Sequence, residues 1–368
     1  MLARGELEQC AAQIDEPVAM GSGRASASWQ ARLISFGLRH TFKPLLAAAA
    51  KASQIRALMA CPTGFMVPMD VRISEATVGG VSGEWVEPTW ESTNHFLLYI
   101  HGGGFVACSA RTHRAISSGF AQQGFRVFVP NYRLAPEHAF PAALIDVIAA
   151  YNGLRATAGE GCKIVIAGDS AGGGLVLAAL LALRDANQQL PGAAALFCPF
   201  LDLSDEGGSR RTNEKSCALL TRESLARFAR LYLGNADPGM PLASPIRANL
   251  ERLPPLHIQV AADEMLLDDS TGLANRARKA GLQVELLIWQ GVPHAFPLFH
   301  HLVPEGRRSV AAAGRFLRLA ATGHWMGQTS MHSEQRMIAA ARPRCYHPDW
   351  PQWRRQLCGK RSVRSPRL

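Results

Sequence analysis

The amino-acid sequence predicts an α/β protein whose mostly parallel central sheet is flanked by helices, and two observations carry that reading. Short apolar runs at 96–100, 127–130, 163–167, 193–197, 256–261 and 284–289 alternate with longer segments of helical character, the rhythm of strands joined by crossover helices. Within that rhythm, Ile164-Val165-Ile166-Ala167 runs into Gly168-Asp169-Ser170-Ala171-Gly172-Gly173-Gly174 and then into the Leu- and Ala-rich stretch 175–183. β-branched residues that are apolar on both faces suit a strand covered by helices on both sides, whereas an unbroken Leu/Ala run suits a buried helix. The chain must then reverse within about three residues, which strains the Ser170 backbone and calls for neighbours without bulk, here Gly168 and Gly172. Such a turn presents the serine hydroxyl at the carboxyl edge of the sheet.

The remaining elements follow in order. Residues 28–60 place Trp29, Leu33, Ile34, Phe36, Leu38, Leu45, Leu46, Ile55 and Leu58 at helical spacing among Arg32, Arg39, Lys43, Lys51 and Arg56. That pattern gives one or two basic amphipathic helices, read as buried against the protein's own body in preference to a membrane surface. Segments 71–78 and 81–86 flank Gly79-Gly80 as a hairpin. Crossover helices fall at 112–123, 142–156, 171–187, 270–280 and 307–320. A polar loop and a helix at 224–233 interrupt the alternation over 207–234, as an insertion above the sheet edge does. Residues 1–62 are therefore read as an N-terminal helical segment, 63–322 as the α/β domain with an insertion near 205–236, and 323–368 as a basic tail without periodicity, expected to be disordered.

Composition narrows the class. With 368 residues and 48% hydrophobic content the chain can bury a large core, and no apolar run approaches the about 18 residues a spanning helix needs. Glu6, Glu8, Asp15 and Glu16 interrupt the first twenty residues, arguing against a secretory signal and for a cytoplasmic protein. The net charge is +10, of which +7 lies in 323–368, so the body carries no general basic surface for nucleic acid. Cys10, Cys61, Cys108, Cys162, Cys198, Cys217, Cys345 and Cys358 show neither a C-x-x-C pair nor a zinc-binding spacing, and read as free thiols in a reducing compartment.

A serine hydroxyl needs a base within hydrogen-bond reach and a third group to orient that base. His294, in the loop that leaves the apolar run 284–289, sits where a base faces Ser170, while His300 and His301 fall on the following helical stretch and are poorer candidates. Asp263, Glu264, Asp268 and Asp269 all follow the run 256–261. Asp268 and Asp269 precede Ser270-Thr271 and are read as N-caps of the next helix, which leaves Asp263 and Glu264. Rigid backbone N–H groups for an oxyanion are offered by His101-Gly102-Gly103-Gly104-Phe105, directly after the run 96–100. The loop lacks the G-x-G-x-x-G and G-K-[ST] patterns of phosphate cradles.

His101-Gly102-Gly103-Gly104-Phe105, Tyr132-Arg133-Leu134-Ala135-Pro136-Glu137-His138 and Gly168-Asp169-Ser170-Ala171-Gly172-Gly173 occur together and in order, and on them the chain resembles the hormone-sensitive-lipase-like esterases over about 83–319. The resemblance implies an α/β-hydrolase fold with a helical cap, oxyanion donors at the amides of Gly103, Gly104 and Ala171, a structural His101, and a bracing role for 132–138. The family's D-P-L-x-D motif, laid over Glu264-Met265-Leu266-Leu267-Asp268, matches Leu266 and Asp268 and puts the acid at Glu264 in place of the usual aspartate, with Asp263 as the competitor. Phe36, Leu45, Phe105, Phe200, Phe228, Tyr232 and Phe296 are candidates to line an apolar pocket. The expected chemistry is hydrolysis of short- to medium-chain acyl esters by Ser170, Glu264 and His294, with no metal or cofactor. A small-molecule ester is the expected partner, with no nucleic acid, no integral membrane segment, and a homodimer as an open assembly option. The competing function is a receptor-like relative that holds a small apolar molecule without turning it over; the intact His294 loop favours catalysis.

Overall fold

The computed structural model describes residues 27–60, 67–90, 94–159, 162–204 and 207–322. The expectations for the first twenty residues and for the tail lie outside them, as do Cys10, Cys61, Cys345 and Cys358.

The predicted N-terminal helical region breaks into α1 (Trp29–Gly37), a π-helical turn Leu38–Phe42, α2 (Lys43–Ala48) and α3 (Ala52–Met59). Ser28 caps α1 by accepting from the Ala31 amide, and its own amide and hydroxyl donate to the Glu305 carboxylate at 2.8 Å each, tying this end of the chain to the last helix. The hairpin strands are β1 (Val71–Val78) and β2 (Val81–Pro88), the second running two residues beyond the predicted end.

The sheet continues with β3 (His95–Ile100), then α4 (Arg114–Ala121), β4 (Arg126–Pro130), α5 (Ala142–Ala158), β5 (Lys163–Asp169), α6 (Ala171–Asp185) and β6 (Ala194–Phe197). The insertion supplies α7 (Ser209–Thr212) and α8 (Arg222–Leu233), and the chain closes with β7 (Leu256–Ala261), α9 (Leu267–Lys279), β8 (Val284–Trp289) and α10 (Pro304–Thr322). The eight strands lie in the order β1-β2-β4-β3-β5-β6-β7-β8, antiparallel at β1–β2 and β2–β4 and parallel from there to β8. This is the α/β-hydrolase arrangement that the sequence predicts.

Alternation along the strands divides the core between the two faces. Phe96, Leu98, Ile100, Ile164 and Ile166 pack with Leu144 and Val147 of α5 and with Leu175 and Val176 of α6. Leu97, Tyr99, Val165 and Ala167 point the other way, onto Ile116 and Phe120 of α4 and Val310 and Phe316 of α10. Every residue of α6 from Ala171 to Leu183 is buried, which explains its lack of a polar stripe.

The N-terminal helices and the insertion are laced together by cations on carbonyls. Arg227 of α8 donates to the carbonyls of Leu46, Ala47 and Ala49 at the end of α2, Arg39 to Ser216, and Lys43 to Glu214 and Cys217. The last carbonyls of α2 lack partners within their own helix, so the Arg227 guanidinium satisfies them and meets the negative end of the helix dipole.

Two side-chain expectations are corrected. Asp268 and Asp269 lie in the first turn of α9 without capping it: Asp268 accepts from the Ser209 amide at 2.7 Å, and buried Asp269 accepts from the Leu201 and Asp202 amides while pairing with buried Arg210. The carboxylate oxygens are taken by amides of the β6 loop and the insertion, so they are not available to the first turn of α9. Phe36 and Leu45 are mostly exposed, and Phe296 packs with Ala31, Val292 and Val303; of the seven candidates, Phe105 and Phe200 join Phe228 and Tyr232 of the insertion in the main core.

Candidate active site

Ser170 sits between β5 and α6 with φ +51° and ψ −120°, a left-handed conformation costing on the order of 1–3 kcal/mol for a residue with a Cβ. Its amide donates to the Phe197 carbonyl at 2.8 Å, and its carbonyl accepts from Phe200 at 2.9 Å and Gly174 at 3.2 Å. A Cβ on Gly172 would overlap the Ile100 carbonyl, and one on Gly168 would meet the Gly172 backbone at 2.7 Å, so the crossing of strand and helix leaves no room for side chains. The hydroxyl is half-buried at the sheet's carboxyl edge.

His294 lies in the loop after β8, followed by Ala295 at φ +54°. Its Nε2 is 3.0 Å from Ser170 Oγ and its Nδ1 is 3.1 Å from Glu264 Oε2. A carboxylate only accepts, so Nδ1 carries the proton and Nε2 faces the hydroxyl as acceptor. His294 and Glu264 are both buried, whereas Asp263, the competing acid, is exposed and meets Ser216 only through its carbonyl. Ser170, His294 and Glu264 are thus brought together and Asp263 is not. His300 is buried elsewhere, packed against Gly119 of α4.

Gly103 and Gly104 have φ of +107° and +63°, and a Cβ on Gly104 would run into the Phe228 ring from α8. Among the described residues, the amides of these two glycines donate no hydrogen bond to the protein. Ala171 opens α6, where the first N–H groups have no partner within the helix.

A network that the sequence reasoning missed fixes this loop to the turn at Ser170. Asp169 Oδ1 accepts from Tyr99 Oη at 2.9 Å and the Gly102 amide at 3.1 Å, with His113 Nε2 at 3.3 Å. Burial pushes the Asp169 carboxyl upward, but His113 beside it and the hydrogen bonds from His113 and Tyr99 outweigh this and hold it below the usual carboxylate range. His113, in the 3-10 turn Arg111–His113 that follows the glycine loop, has no sequence spacing that links it to Asp169. His101 stacks on Tyr132 at 4.1 Å, its Nδ1 lies 2.8 Å from the Gly102 carbonyl, and Tyr132 Oη donates to the His101 carbonyl at 2.9 Å. Burial, with His113 nearby, pushes the His101 imidazole down to about 3, so it stays neutral, as a scaffold residue does.

Cys198, Glu264 and His294 bring ligand-type atoms within 4.8 Å of one another. The fit to a metal is poor: both His294 nitrogens are engaged, and burial together with the Glu264 charge pushes the Cys198 thiol well up, away from the thiolate that a metal needs. A cleft beside Glu264 is lined by Ser35 of α1, Arg39 of the π-helical turn, Cys217 and Ala218, and Val292 and His294.

A family model described as the alpha/beta hydrolase fold matches residues 97–298. Over 248 residues the chain is 44% identical to an acetyl-hydrolase of Streptomyces hygroscopicus, covering 66% of this chain and 82% of the relative. It is 32% identical over 309 residues to the carboxylesterase/phospholipase LipF of Mycobacterium tuberculosis, covering 78% and 81%. Among solved structures it superposes with TM-score 0.73 at 36% identity on an esterase from the bacterial hormone-sensitive lipase family, covering 80% of this chain and 99% of that one. The esterase EstE5, soaked with p-nitrophenyl butyrate, superposes with TM-score 0.75 at 35% identity, covering 80% and 100%. The fold and these matches define a carboxylic ester hydrolase. The chain belongs to the α/β-hydrolase family, in its hormone-sensitive-lipase-like esterase branch.

Proposed function

We propose that Ser170, His294 and Glu264 are the catalytic triad of a carboxylesterase acting on short- to medium-chain acyl esters, with the amides of Gly103, Gly104 and Ala171 as the oxyanion hole. The observation that carries this reading is the unbroken relay from Ser170 Oγ through both nitrogens of His294 to Glu264, with spans of 3.0 and 3.1 Å. Ser170 attacks the ester carbonyl while His294 Nε2 takes its proton, and Glu264 stabilises the imidazolium that forms. The oxyanion gathers donors that are already oriented and cost no reorganisation. His294 then protonates the departing alcohol. Water attacks the acyl-enzyme with the same imidazole again as base, and Ser170 recovers its proton as the acid leaves.

Residues 1–62 and the insertion near 205–236 act in this reading as a cap over a catalytic domain of 63–322. The cations of Arg39, Lys43 and Arg227 on carbonyls support it by making the two segments one unit, and Phe228 against Gly104 sets the insertion directly on the glycine loop. Such a cover excludes water until substrate enters.

Ser170→Ala tests the assignment. Turnover of p-nitrophenyl butyrate is expected to fall by several orders of magnitude and labelling by a fluorophosphonate to disappear. Near-normal turnover rejects the triad, and tight binding of an apolar ligand by a wild-type protein that resists labelling points to a receptor.

A further inference from the structure

We propose that the outer face of the N-terminal helices docks on an anionic lipid surface. The inner face of α1 is settled by its contacts: Ala31 is buried, and Ile34 packs on the cluster that holds Val292 and Phe296. Trp29, Leu33 and Phe36, spaced four and three residues apart, fall on the opposite face and are 70%, 61% and 62% exposed. Leu45, on α2, is 54% exposed. The burial expected for this amphipathic stretch is met by Ala31, Ile34, Leu46 and Ile55, while Trp29, Leu33, Phe36 and Leu45 stay largely in water.

Charge decides what covers them. From Ser28 to Ala60 the chain holds Arg32, Arg39, Lys43, Lys51 and Arg56 and no acidic residue. Arg56 is paired with Glu137, but Arg39 and Lys43 rest on neutral carbonyls and keep their charges, and Arg32 and Lys51 are exposed. On a helical projection of α1 Arg32 flanks the Trp29-Leu33-Phe36 stripe, and Arg39 follows in the π-helical turn. A second copy seated on this face would set Arg32 and Arg39 against their own counterparts, which like-charge repulsion opposes. An anionic bilayer answers both features: headgroups meet the flanking cations while Trp, Leu and Phe enter the acyl boundary. Ser35 and Arg39 of the same region line the cleft beside Glu264 and His294, so docking on this face holds the candidate site close to the interface.

The test is co-sedimentation of the full-length protein with vesicles of phosphatidylcholine containing phosphatidylglycerol, against phosphatidylcholine alone. The readout is binding, so it stands or falls apart from the triad. Wild type is expected to prefer the anionic vesicles and to be released by salt. The triple variant Trp29→Ser, Leu33→Ser, Phe36→Ser is expected to lose about tenfold or more in partitioning, and Arg32→Glu to weaken it as well. Circular dichroism and a thermal melt confirm that each variant is folded. Absence of wild-type binding, equal binding to neutral vesicles, or retention by the triple variant overturns the proposal, the last because another basic segment then carries the binding. A wild-type dimer that the triple variant converts to monomer assigns the face to a second copy and overturns it too.

Discussion

Replacing Glu264 by Gln removes one charge from a buried site while keeping side-chain length. In the proposed mechanism His294 acts first as a base in its uncharged form, when little Coulomb energy is at stake. When Ser170 attacks, the imidazole becomes positive with the carboxylate held 3.1 Å from Nδ1. Charges about 4 Å apart at an effective dielectric near 20 attract by about 4 kcal/mol, or roughly a thousandfold in rate. The substitution also costs order: if the Gln carbonyl takes Nδ1–H, its amide occupies the place of Oε1, which is buried without a hydrogen-bond partner among the described residues. The expected loss is therefore about 10²–10⁴ in kcat for p-nitrophenyl butyrate with KM nearly unchanged, since the interaction forms only in the transition state. Asp263→Asn, at an exposed carboxylate, is the control and is expected to stay within about twofold of wild type. Loss of less than tenfold in Glu264→Gln, or a severe loss in Asp263→Asn, refutes the reasoning.

Three other outcomes follow from the geometry. Gly104→Ala places a methyl in the Phe228 ring at a positive φ; activity is expected to drop about 10²-fold or more as the proposed oxyanion donor shifts, with Phe228→Ala in the same chain restoring part of it, as steady-state rates on a chromogenic ester report. His101 and His300 are both pushed down to about 3, His101 by burial and then by His113, His300 by burial and then by His301. Each takes up a proton first in the unfolded chain, so stability is complete above about pH 6.5 and falls as pH drops toward 3; at pH 5 the loss is about 2 kcal/mol per histidine, seen in denaturant midpoints and roughly halved in His300→Leu. Arg227→Met strips the guanidinium from three carbonyls at the end of α2 and is expected to cost about 2–4 kcal/mol and to speed proteolysis within residues 27–60, followed by limited digestion.

Much of this was legible because the elements are local. The run 163–167 followed by glycines and a Leu/Ala stretch announces strand, turn and helix from neighbouring residues alone, and β5 and α6 form there. Ser170 and His294 were legible for the same reason, each being the loop residue at the carboxyl end of a strand. Spacing alone did not fix the acid, because four carboxylates follow β7 within eight residues; the family motif pointed to Glu264, and burial and the contact with His294 separate it from Asp263. Asp268 and Asp269 were misread because a cap is a local rule, while the amides of Leu201, Asp202 and Ser209 that take their oxygens arrive from distant segments. Tyr99, His113 and Arg227 left no signal at all: each acts across tens of residues or more, on groups that sheet pairing or cap docking brings near.

That division points to how the site is held. Ser170 occupies a strained conformation, yet its amide and carbonyl are both bonded to the chain leaving β6, at Phe197 and Phe200. One residue earlier, Asp169 accepts from Tyr99 and from Gly102, so a single buried carboxylate joins the nucleophile turn to the glycine loop. Tyr132 fastens the other side of that loop through the His101 carbonyl. Strain at one residue is then shared by β3, β5 and β6, whose positions the whole core determines. A nucleophile on a free loop would relax; here relaxation of Ser170 requires the ends of three adjacent strands to move together, and the hydroxyl stays 3.0 Å from His294 because the sheet cannot yield locally.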